Sequence, residues 1–94
     1  MKKVLVNRCP NGFTLSNAQR RLFPELEENP KMRDSDVNRA DRRLIESFEN
    51  GDRRGDGRST LTIVEIPEEA DFVIVERDGH EDVVYTTQGR LERA

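Results

Sequence analysis

The chain has 94 residues, with 16 Lys+Arg against 19 Asp+Glu and a formal net charge of −3. That length suits one domain rather than two. The acidic balance argues against a nucleic-acid-coating protein, whose affinity comes mainly from neutralised phosphates. A single cysteine, Cys9, excludes an intrachain disulfide framework.

No apolar run is long enough for a membrane span or a signal-peptide core, so a reducing cytoplasm is the expected setting. Hydrophobic residues make up 33% and charged residues 37% of the chain. This composition predicts a thin core beneath a charged surface, and such domains often recover stability by self-association. A homo-oligomer is therefore expected.

In chain order, Lys3-Val4-Leu5-Val6 reads as a short strand covered on both faces or lying at a sheet centre. The turn-rich loop Asn7-Arg8-Cys9-Pro10-Asn11-Gly12 follows. Ser16 and Gln19 have the spacing of a capping box, so a first helix is predicted from about Asn17, with Ala18, Leu22 and Leu26 in register. Pro24 breaks or kinks it. A second helix is predicted from a cap at Asp34 or Ser35, with Val37, Ala40, Leu44, Ile45 and Phe48 as its apolar stripe. Asn50-Gly51 ends it.

The remainder reads as strands at Thr60–Ile66, Phe72–Val75 and Val83–Tyr85. Asp78-Gly79 supplies a type I′ hairpin turn between the last two. The predicted fold is a single α+β domain over residues 1–87, in the order β-α-α-β-β-β. Two helices cover one face of a mostly antiparallel sheet, and residues 88–94 form a polar tail that frays.

The segment from Asn7 to Ser16 is the candidate ligand site. It runs from the carboxyl end of an apolar strand into a helix start, a place that favours anions. Arg8 offers a fork for phosphate or carboxylate. Asn7, Asn11 and Ser16 offer polar contacts, Phe13 a ring for stacking, and Gly12 a flexible turn. The alternative is a capped connector with Phe13 packed beneath the helix.

Cys9 and His80 are the only nucleophile–base candidates, and no third orienting group can be picked out. No catalytic residue, metal site or cofactor is therefore assigned, although Glu68, Glu69 and Asp71 form an acidic loop. Arg39, Arg42, Arg43, Arg53, Arg54 and Arg58 are interleaved with Asp41, Glu46, Glu49, Asp52 and Asp56. They read as a solvated face with i,i+4 pairs, from which some arginines can still reach an anion across an oligomer interface.

Asn7-Arg8-Cys9, Gly12-Phe13 and Leu15-Ser16 together resemble the opening of a widespread group of small bacteriophage and prophage proteins. Ile63-Val64-Glu65-Ile66-Pro67 and Asp78-Gly79-His80-Glu81 are similar to that group's later signatures. The match runs from Val4 to about Tyr85. Pro10 and Asn11 depart from it, standing where the group usually has an aromatic residue and a glycine.

The resemblance implies a phage accessory protein acting in the cytoplasm of an infected host, and it carries over no enzymatic activity. The expected function is non-enzymatic counter-defence: an oligomer sequestering an anionic, nucleotide-like immune signal at the Asn7–Ser16 loop. The alternative is a protein-interaction module that inhibits or recruits a host or phage protein. Neither nucleic acid nor a membrane is expected as a partner.

Overall fold

The computed structural model describes residues 1–10, 12–51 and 60–94. Asn11 and the stretch 52–59, with Arg53, Arg54 and Arg58, lie outside the described residues. Strand β1 (Lys2–Asn7) pairs antiparallel with β2 (Leu61–Ile66), in register from Lys2 opposite Ile66 to Asn7 opposite Leu61. Strands β3 (Asp71–Arg77), β4 (His80–Thr87) and β5 (Arg90–Arg93) form a second antiparallel sheet in that order. The α+β class and the element order agree with the sequence reading, with the sheet divided into a two-stranded ribbon and a three-stranded sheet.

The division explains why β1 is apolar on both faces. Leu5 packs with Phe13, Leu15, Phe23, Leu44 and Phe48 on the helical side. Its neighbours Val4 and Val6 point the other way, meeting Ile66, Ala70 and Val83. The ribbon is thus sandwiched between the helical layer and the three-stranded sheet, and successive β1 side chains enter different cores.

Pro24 divides the first predicted helix into α1 (Asn17–Arg20) and α2 (Glu25–Glu28). The capping box is present: Gln19 N donates to Ser16 Oγ at 3.1 Å, and Ser16 N donates to Gln19 Oε1 at 3.0 Å. The second helix starts later than its apolar spacing suggests. Asp34–Asp36 form one 3-10 turn, and α3 spans Arg42–Glu49. Between them the Arg39 carbonyl accepts from Leu5 N at 2.8 Å, committing that backbone group to the edge of β1 rather than to a helix.

Asp41 is the actual cap, accepting from Arg43 N at 2.9 Å. Asp41→Ala is expected to cost about 1 kcal/mol in a urea titration near neutral pH. Hydrogen bonding from the Arg43 side chain holds the Asp41 carboxyl below its ordinary 3.8. A lowered folded-state value means the stabilisation is present above the unfolded value and lost as pH falls through the folded one. The gap between wild type and variant should therefore close in the acid limb. A gap that widens there would contradict the cap.

Asp78 and Gly79 have φ of 53° and 88°, as the hairpin between β3 and β4 requires. Gln88 and Gly89 repeat the pattern with 51° and 80°. The segment 88–94, read from its composition as a fraying tail, instead turns back and pairs β5 along Val84–Thr87. Its side chains are all exposed. A polar sequence suits such an edge strand, since the ladder holds its backbone and nothing need be buried.

Candidate functional site

The loop after β1 is organised by Asn7, which is fully buried. Its Nδ2 donates to Cys9 O at 2.7 Å and to Gly79 O at 2.6 Å. Its Oδ1 accepts from Thr60 N at 3.1 Å and from the Cys9 thiol at 3.2 Å. One amide thereby ties the loop, the entry to β2 and the β3–β4 turn together. Arg8 is half-exposed and donates to Asp82 at 2.6 Å.

Of the six residues singled out in the sequence, Asn7 and Arg8 thus engage the β3–β4 hairpin, and Ser16 caps α1. Gly12 and Phe13 together line a cavity, and Asn11 lies outside the described residues. Because α1 spans only four residues, it supplies little of the aligned dipole expected to attract an anion.

Sequence reasoning passed over the central pair of the region. Arg39, grouped with a solvated face, is buried: its side chain is 3% exposed and that of Glu81 is 4% exposed. The pair is bidentate, with Nη1 to Oε1 at 2.6 Å and Nη2 to Oε2 at 2.8 Å. Glu81 Oε1 also accepts from Asn7 N at 2.8 Å. Arg39 Nη2 donates to Ser35 O at 3.1 Å, and its guanidinium lies 3.5 Å from the Phe13 ring centroid.

These contacts occupy the edge of β1 that faces away from β2, where a third strand would otherwise pair. The signal for this arrangement is strand alternation: Glu81 shares a face with Val83 and Tyr85. A carboxylate on a core-facing strand position requires a buried partner.

Both arginines of α3 are exposed, and Arg42 forms the expected i,i+4 pair. Arg42 pairs with Glu46 at 2.7 Å across one turn, while Arg43 pairs with Asp41 at 2.9 Å and lies over Phe23. Among the described residues, no group of three His, Cys, Asp or Glu side chains is placed to hold a metal ion. No helix among them is long and apolar enough to cross a membrane.

The cavity measures about 440 Å³, within the range of small-ligand sites. Gly12 and Phe13 form one wall, the 3-10 turn with Arg33, Asp34 and Ser35 another, and Ile74 and Glu76 of β3 a third. Arg39 and Glu81 complete it. Arg39 Nε is buried and has no hydrogen-bond partner among the described residues, an uncommon state for a charged donor.

The Arg39–Glu81 pair neutralises itself, and Asp34 is paired with Arg20 at 2.8 Å. Arg33 and Glu76 then leave a cavity of mixed charge, suited to a ligand with both acceptor and donor groups. Comparison of the chain with known protein families, curated proteins and solved structures yields no significant match.

Proposed function

We propose that this chain is a non-enzymatic binding protein of phage-accessory type, sequestering a small nucleotide-like ligand in the Phe13–Arg39 cavity. The observation that carries this reading is a cavity of about 440 Å³ lined together by Arg33, Glu76 and the Phe13 ring. Arg33 holds the anionic group, and Glu76 accepts from ring N–H donors. The counter-defence role rests on the motif resemblance and the absence of any need for turnover.

The test is calorimetric titration with purine mono- and dinucleotides, using wild type and Arg33→Ala. Arg33 is exposed, so its truncation leaves the fold intact. Affinity for at least one nucleotide should fall about tenfold, the effect of one charged hydrogen bond. Failure of every nucleotide to bind, or equal affinity in the variant, rejects the reading.

A protein-interaction module is the second reading, favoured by Val73, Val75 and Leu91, which are exposed on the three-stranded sheet. A stoichiometric host polypeptide co-purifying with a chain that binds no nucleotide supports it.

A further inference from the structure

β3 is an edge strand whose outward face carries Val73 and Val75 between Asp71 and Arg77. Among the described residues it pairs with β4 alone, in register from Asp71 opposite Thr86 to Arg77 opposite His80. The two-residue turn makes Arg77 and His80 a hydrogen-bonded pair, so Asp71, Val73, Val75 and Arg77 direct their backbone groups to β4. Phe72, Ile74 and Glu76 direct theirs to the open edge. Val73 is 60% exposed and Val75 is 42% exposed. A seven-residue strand of this kind lacks the lysine, proline or bulge that usually protects an edge.

We propose that the open edge of β3 pairs with β3 of a second copy, antiparallel and centred on Ile74, giving a continuous six-stranded sheet across the dimer. The occupant follows from the strand's self-complementarity. With Ile74 opposite its counterpart, Phe72 faces Glu76 of the second copy, and all six open-edge residues meet as hydrogen-bonded pairs. On the outward face, Val73 meets Val75 of the second copy, and Asp71 meets Arg77 at both ends. Neither Asp71 nor Arg77 has an ion-pair partner among the described residues. Opposite charges directly across a ladder favour this register, and like charges disfavour it. Since Glu76 lines the ligand cavity, the dimer also brings Phe72 of the second copy beside that cavity. Only this last consequence rests on the ligand-binding reading.

Sedimentation velocity without ligand tests the interface separately from the ligand site. Wild type should sediment as a dimer of the 10.9 kDa chain. Asp71→Arg places two arginines opposite each other at each end of the ladder, and Arg77→Asp places two aspartates there. Each substitution should weaken self-association tenfold or more, with an unchanged circular dichroism spectrum. Mixing the two variants should restore a dimer, because the mixed pair regains opposite charges at both ends, and the double variant D71R/R77D should self-associate as wild type does. A monomeric wild type, a dimer insensitive to both single substitutions, or a mixture that stays monomeric overturns the proposal.

Discussion

Glu81→Ala should lower stability by about 3–5 kcal/mol, the cost of stranding a buried charge by removing its partner. Small domains commonly have only about 5–15 kcal/mol in total, so a large unfolded fraction is expected even without denaturant. Two losses coincide. Arg39 keeps a buried guanidinium with no counter-charge, and Asn7 N loses the carboxylate oxygen that closes the edge of β1.

The double variant R39M/E81L distinguishes them in urea titrations. It removes the stranded charge and should recover part of the loss. The unbonded Asn7 amide remains, at about 1–3 kcal/mol, so recovery should stop short of wild type. If Glu81→Ala costs less than about 1 kcal/mol, the pair is not what holds the ribbon to the sheet.

Gly79→Ala is the second large effect, and Gly89→Ala is its control. Both glycines have positive φ, 88° and 80°, in equivalent two-residue turns. A side chain at that conformation costs roughly 1–2 kcal/mol. Among the described residues, a Cβ at Gly89 meets nothing within 4 Å, whereas at Gly79 it runs into the Pro10 carbonyl and comes within 2.9 Å of Gly12 N.

Overpacking against backbone adds roughly another 1–3 kcal/mol. The collision also pushes on the loop that Asn7 holds through its bond to Gly79 O. In a domain of this size each kcal/mol lowers Tm by roughly 4–8 °C, so the Gly79 variant should melt well below the Gly89 variant. Equal melting temperatures would mean that the turn and the loop do not depend on each other.

The two substitutions probe one junction from opposite sides. Asn7 lies between Glu81 and Gly79, bonded to the first through its backbone and to the second through its side chain. The loop carrying Gly12 and Phe13 leaves this junction and lines the cavity beside Arg39. On the proposed ligand-binding reading, damage there should therefore impair nucleotide capture as well as stability. Arg33→Ala acts on the exposed rim and should affect affinity without loss of stability, while charge reversal at Asp71 or Arg77 should affect assembly without loss of the fold.

Local chemistry determined much of the secondary structure directly from sequence. Ser16 and Gln19 specified their capping box through short-range hydrogen bonds. Pro24 ended a helix because it clashes with the preceding turn and lacks an N–H, and Asp78-Gly79 set a hairpin through φ alone. The double-faced burial of β1 was also legible, since an apolar run without alternation must be covered on both sides.

Tertiary structure decided what depends on long-range partners. Val37 and Ala40 continue the apolar spacing of α3, yet the helix begins only at Arg42, because the Arg39 carbonyl bonds to Leu5 N. Asn7 and Arg8 were legible as polar groups, but not as groups engaged by β4 and its turn. Arg39 has the same local surroundings as the solvated Arg42 and Arg43, and only the arrival of Glu81, 42 positions later, makes it a core residue. Residue type and helical period record which groups can bond. The fold selects which of them meet, because a distant carboxylate or carbonyl leaves no local signature on the arginine it will bind.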